Sequence, residues 1–200
     1  VTHTLLPDAD LLAEFAASGD RIVHIIAIAT KPDIIKQAPV YRELKSRGAN
    51  VLVCHTGQHY DENYSGAMLE EFGLEIHTHL AIDGPLATKT AQIIERFSHV
   101  LDSVTGAGLT PVPYIHGDTL TSMAVGVSSY LNRVACVHVE AGIRTLTPRG
   151  DVYRKFLADF AAGQFDWKEY LAAMRAEDTY ELGSREPFPE QFNTRVSEAA

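Results

Sequence analysis

The feature that most constrains this chain is the run RIVHIIAIAT, Arg21 to Thr30, which has almost no polar interruption. It is too short and too unbroken for an amphipathic surface helix, and it is rich in β-branched residues. That is the pattern of a parallel strand covered on both faces. A strand of this kind needs a layer above it and a layer below it. The following segments supply them: a helix from Asp33 to Ser46 stopped at Gly48, a strand Asn50 to Cys54, a helix Asn63 to Phe72 and a strand Glu75 to Leu80. A long helix Leu86 to Val104, a strand Val112 to His116, a helix Thr119 to Leu131 and a strand Ala135 to Val139 continue the alternation. Strands and helices alternating in this way build an α/β fold, a doubly wound parallel sheet of the Rossmann-like kind with right-handed crossovers.

The segments at either end read differently. Pro7 to Ser18 sets Leu11, Leu12, Phe15 and Ala16 at helical spacing and stops at Gly19, which describes a docking helix. Pro39 falls in the first crossover helix, where it either bends the helix or marks its true first turn. After Thr145 the alternation ends. Tyr153 to Ala162 and Trp167 to Ala176 read as two short amphipathic helices joined near Gly163, followed by a polar connector from Glu177 to Glu186 and a short helix after Pro187 and Pro189.

A length of 200 residues, 46% hydrophobic and 22% charged, is enough for one α/β domain with a real core and too little for two full Rossmann-like domains. The formal net charge of -9 argues against nucleic acid, because a phosphate backbone requires clustered Lys and Arg. The apolar runs are short and broken, so neither a membrane span nor a signal segment is expected, and the cytoplasm is the expected location. Cys54 and Cys136 sit in apolar runs without ligand spacing and read as free buried thiols.

Ligands of an open parallel sheet bind beyond the carboxyl ends of its strands. The first strand is followed by Lys31, Asp33 and Lys36, and the second by His55, Thr56, Gln58 and His59. The fourth is followed by His116, Gly117, Asp118 and Thr119, and the fifth by Glu140 and Arg144. Acids and cations on one rim suit an anionic substrate undergoing proton transfer. Each also has a structural alternative: Asp118 as a helix N-cap, Glu140 as a paired or exposed strand-end carboxylate, Lys31, Lys36 and Arg144 as solvated charges, and Glu190 as a helix-dipole partner. His55 with His59, and His77 with His79, have metal-compatible spacing, yet no cysteine or carboxylate pattern accompanies them and no metal is expected. His77 and His79 alternate out of a strand and are expected to face water, while His24 and His99 read as structural histidines. GxGxxG after the first strand, GxxxxGK[ST] and GxSxG are all missing, which removes the mechanical parts of a dinucleotide, P-loop or hydrolase site.

Five segments carry a resemblance. KPDIIKQAP (Lys31 to Pro39), TGQHYD (Thr56 to Asp61), HGDTLTS (His116 to Ser122), HVEAGIRT (His138 to Thr145) and PFPEQFN (Pro187 to Asn193) resemble, in order, successive motifs of UDP-N-acetylglucosamine 2-epimerases of the non-hydrolysing type. The resemblance implies a GT-B-like pair of Rossmann-like domains with the active site between them, this chain carrying the first. Residues 1–20 are then an N-terminal helical extension, 21–145 with 187–200 the Rossmann-like domain, and 146–186 a helical insertion, the C-terminal nucleotide-binding domain being absent. It also implies an isomerase that interconverts UDP-N-acetylglucosamine and UDP-N-acetylmannosamine by eliminating UDP to a glycal and adding it back. Such an enzyme needs no cofactor, works as a homodimer and serves surface polysaccharide biosynthesis. The family's catalytic acids fall on Asp118, Glu140 and Glu190 and its cleft lysine on Lys36, while Lys31, Gln58, His59, His116, Arg144 and Asn193 are the substrate-binding candidates.

Two departures accompany the resemblance. Lys31 stands where the family usually has arginine, which keeps the charge and loses the bidentate fork. The insertion lengthens a loop that is normally short, so Glu190 returns to the cleft if the insertion folds outward, and the insertion becomes a lid if it packs over the strand ends. A hydrolysing relative, a non-catalytic nucleotide-sugar binding module and a glycosyltransferase of the same architecture are the competing readings.

Overall fold

The computed structural model describes residues 5–57 and 68–141. Among the described residues five strands form one sheet: β1 (Ile22–Ile28), β2 (Asn50–His55), β3 (Thr78–His79), β4 (Thr110–His116) and β5 (Val137–Val139). Their order is β3-β2-β1-β4-β5 and every pairing is parallel. The helices with described bounds are α1 (Ala9–Ala17), α2 (Lys31–Ser46), α3 (Leu86–Gly106) and α4 (Leu120–Leu131), and a helical segment covers 68–72 before β3. This is the doubly wound parallel α/β sheet expected from the alternation.

The central strand explains the two layers. Side chains alternate along a strand, so Val23, Ile25 and Ala27 of β1 join one core with α1, α3 and α4, while Ile26 and Ile28 join the other with α2. All five are almost fully buried, and each of the four larger ones, Val23, Ile25, Ile26 and Ile28, stabilises the fold by about 1.5–3 kcal/mol. On α3 the buried positions Ile93, Phe97, Val100, Leu101 and Val104 form a single helical stripe against the first core. Helix α1 docks through Leu12 and Phe15, and its Asp8 cap accepts the N–H groups of Asp10 and Leu11 at 2.8 and 3.3 Å.

Helix α2 starts directly after Thr30, with Pro32 in its first turn, and continues through Pro39. Pro39 is therefore an interior residue that withholds one backbone bond, not the first turn of the helix. The strand expected over Glu75 to Leu80 pairs only at Thr78 and His79. Its ladder is interrupted because the Nδ1 atom of His77 accepts the Val53 N–H at 3.0 Å.

His79 does not face water as its alternation suggested. It is buried, and its ring stacks on that of His55, its register partner on β2, with centroids 5.0 Å apart and planes within 6°. Both imidazoles accept loop N–H groups through Nδ1, from Gly57 onto His55 and from Ala81 onto His79, each at 3.1 Å. Backbone donors leaving the sheet need such partners, and this makes burial of the rings tolerable. Cys54 is a free, fully buried thiol whose pKa burial pushes up to about 12. Cys136, just before edge strand β5, is only half-buried, and His99 is exposed on α3. Among the described residues no helix is long and apolar enough to cross a membrane.

Candidate active site at the diverging strand ends

β1 and β4 separate before they end. Their pairing stops at Ile26 and Tyr114, whereas β1 runs on beside β2 to Ile28 and His55, and β4 runs on beside β5 to His116 and Val139. This is the point where the strand order reverses, and a crevice opens there beyond the carboxyl ends. At its floor the buried Gln37 amide of α2 donates from Nε2 to the carbonyls of Ala27 and Tyr114, at 2.8 and 3.2 Å. It supplies donors where the ladder has ended.

The start of α2 forms one wall. Asp33 accepts three donors on Oδ2: the Ala29 N–H at 3.2 Å, the Thr30 N–H at 3.0 Å and the Thr30 hydroxyl at 2.9 Å. Its Oδ1 lies 3.2 Å from Nδ1 of His116, the last residue of β4. On the far side of that ring Nε2 lies 3.0 Å from Oε2 of Glu140, and Oε1 of Glu140 accepts from Lys36 Nζ at 2.7 Å. Side-chain exposure along this chain of alternating charge rises from 1% at Asp33 through 7% at His116 and 22% at Glu140 to 53% at Lys36.

Ionised carboxylates only accept, so a ring held between two of them must carry a proton on each nitrogen. The hydrogen bond to Asp33 is the main influence raising the His116 pKa, with burial opposing it and Glu140 adding to it. Glu140 is lowered, chiefly by the hydrogen bond from Lys36, with burial opposing and His116 assisting.

The backbone at Glu140 lies in the left-handed region at φ 63°, which costs a residue with a Cβ about 1–2 kcal/mol. Strain of this kind persists where surroundings over-determine it, and it collects at active sites and ligand clamps. The preceding turn is also fixed. Gly117, at φ 63°, donates its N–H to the Val139 carbonyl at 3.1 Å and accepts the Nε2–H of His138 at 2.7 Å. The Ser122 hydroxyl donates to the His116 carbonyl.

The alternative reading of Asp118 as a helix cap is answered by its neighbour. Thr119 caps α4, its hydroxyl accepting the Ser122 N–H at 3.2 Å. Asp118 stands half-buried between Gly117 and that cap. Across the rim the Thr56 and Thr121 hydroxyls are 2.8 Å apart and tie the β2 loop to α4.

The structure thus joins Lys36, His116 and Glu140 in one network, with Asp118 two residues beyond His116 and the exposed Lys31 at the first position of α2. Gln58, His59, Arg144, Glu190 and Asn193, together with the insertion at 146–186, lie outside the described residues. Gln37 was not singled out in the sequence, and Asp33 was placed on the rim after the first strand without a role of its own. Its T-x-x-D spacing from Thr30 reads as helix capping.

Residues 42–165 match the family described as UDP-N-acetylglucosamine 2-epimerase. The UDP-N-acetylglucosamine 2-epimerase of Salmonella borreze is 32% identical over 125 residues, covering 60% of this chain and 32% of that protein. The enzyme of the same name from Escherichia coli strain K12 is 32% identical over 134 residues, covering 64% of this chain and 33% of that protein. The chain therefore spans about a third of the length of the curated relatives it matches. Among solved structures, Methanocaldococcus jannaschii UDP-GlcNAc 2-epimerase in complex with UDP-GlcNAc and UDP superposes with a TM-score of 0.62 at 25% identity, over 80% of this chain and 44% of that one. A Staphylococcus aureus UDP co-structure gives 0.61 at 26%, over 80% and 43%.

Proposed function

The chain belongs to the UDP-N-acetylglucosamine 2-epimerase family, and on that premise we propose that it forms the sugar-side half of a GT-B-like enzyme interconverting UDP-N-acetylglucosamine and UDP-N-acetylmannosamine. A base takes the C2 proton, the C2–H electron pair becomes the C1–C2 double bond of a glycal, and the C1–O pair leaves with UDP. Return of UDP oxygen to C1 and of a proton to the opposite face of C2 completes the inversion. Asp118, Glu140 and Glu190 are the proposed proton-handling carboxylates and Lys36 the cation beside them. Lys31, Gln58, His59, Arg144 and Asn193 are proposed to hold the substrate, and His116, beside Glu140, to belong to the same site. The proposal includes a homodimer in the cytoplasm, without a cofactor.

The observation that carries this reading is the placement of Glu140, in left-handed backbone at a strand end, between Lys36 and His116. A carboxylate oriented by two cations at a switch-point crevice suits proton exchange beside a departing anion. The test is solvent deuterium. With the chain joined to a second domain of this family, the epimer formed in D2O carries label at C2. Epimer without label refutes elimination and re-addition, and free N-acetylmannosamine as the main product selects the hydrolysing alternative. The chain alone folds, because the sheet has its own two-sided core, and shows no turnover, because one wall of a cleft excludes no water.

A further inference from the structure

We propose that Asp33 is a positioning residue that holds His116 as a fixed imidazolium against Glu140, so that His116 serves the reaction through Glu140 and does not touch substrate. The proposal rests on the reading above only in taking Glu140 as a reacting group. Its physical part stands on the network itself.

Asp33 divides its two oxygens between two tasks. Oδ2 is anchored by backbone and hydroxyl donors at the start of α2. Oδ1 reaches across 83 positions of chain to Nδ1 of His116. Helix capping accounts for the first oxygen and leaves the second unexplained. Because Asp33 and His116 are both buried, the carboxylate cannot swing to water, and the ring is fixed in rotation by a partner at each nitrogen. A neutral imidazole would set a bare nitrogen lone pair against one carboxylate oxygen at 3.0 or 3.2 Å. The doubly protonated ring removes that clash, and the sequence Asp33, His116, Glu140, Lys36 then alternates in sign along its whole length. Burial of Asp33 needs such a partner, since an unpaired interior carboxylate is strongly unfavourable.

Two consequences follow for Glu140. One oxygen receives a donor set by the fold, while the other faces Lys36, whose long side chain is half exposed and free to follow a ligand. Neither N–H of His116 remains for a substrate oxygen. Among the described residues, the other titratable and charged groups around the ring are Lys36 on α2, Asp118 in its own turn, and His138 on β5, which bonds Gly117. The raised pKa of His116 agrees with the clamp.

The test uses the 200-residue chain labelled with nitrogen-15. Long-range proton–nitrogen correlations of the His116 ring report its protonation through a pH titration. In the wild-type chain both ring nitrogens carry protons in the neutral range. Asp33→Asn moves the midpoint to lower pH. Asp8→Asn removes a carboxylate that caps α1, outside this network, and leaves the midpoint in place. Glu140→Gln also lowers the midpoint, which keeps the proposal testable if Asp33→Asn does not fold.

A neutral wild-type ring, or an unmoved midpoint in Asp33→Asn or Glu140→Gln, overturns the clamp. With the second domain joined, Asp33→Asn lowers kcat while KM holds. A raised KM with unchanged kcat overturns the positioning role in favour of direct substrate contact. Failure of C2 labelling with an intact clamp would instead count against the epimerase reading alone.

Discussion

The Nε2 atom of His116 lies 3.0 Å from Oε2 of Glu140, bringing the end of β4 against the residue that follows β5. The opposing shifts of these two groups make the site visible in the pH dependence of stability. His116 is raised above its ordinary 6.5, so its contribution is complete below pH 6.5 and is lost as pH rises through the raised folded value. Glu140 is lowered from 4.5, so its contribution is complete above 4.5 and is lost as pH falls through the depressed folded value. Burial lowers His24 and His77, which act in the opposite sense to His116 and lose stability as pH falls below 6.5. The His116 share is therefore read as a difference. Urea unfolding of the wild-type chain and of His116→Asn should converge as pH rises above 6.5 and stay apart below it. A gap that does not change with pH contradicts the imidazolium.

Amide substitutions separate chemistry from packing. In the two-domain enzyme, Asp118→Asn, Glu140→Gln and Glu190→Gln should each reduce turnover by about 10²–10⁴ while the fold persists, because an amide keeps the shape and exchanges no such proton. Steady-state rates with far-UV circular dichroism as the folding control decide this. Near-normal turnover in any one variant returns that residue to a structural role.

Gly57 tests the packing of the histidine pair. Its φ is +85°, and a Cβ there would stand 3.2 Å from Cε1 of His79 and 3.4 Å from the Ile82 nitrogen. Gly57→Ala should cost at least about 1–2 kcal/mol from the backbone conformation alone, measured by urea denaturation. Measured between His79→Ala and the double variant, the same glycine substitution should cost less, because the crowding ring is gone. An equal cost in both backgrounds would place the whole of it in the backbone.

The fold was legible because its signals are local. The apolar run through Ile22 to Ile28 and the helical stripe from Ile93 to Val104 each declare their own period and the faces they bury. The rim was legible for a related reason: Lys36, His116, Asp118 and Glu140 all lie at or just beyond strand ends, where parallel sheets bind ligands. The bond of Asp33 to His116 was not legible. It joins distant positions, and T-x-x-D is fully accounted for by capping. The stacking of His79 on His55 was hidden as well, because alternation names a face without naming what covers it. The left-handed backbone at Glu140 had no glycine to announce it.

The central claim is that a UDP sugar docks in the crevice where β1 and β4 diverge. Titrating UDP-N-acetylglucosamine into the nitrogen-15-labelled chain, followed by proton–nitrogen correlation spectra, tests it most directly. Weak, saturable shifts centred on Lys36, Asp118 and Glu140 are the expected result. Shifts centred instead on the apolar groove lined by Leu6, Ala13 and Ser103, or none at all, would contradict it.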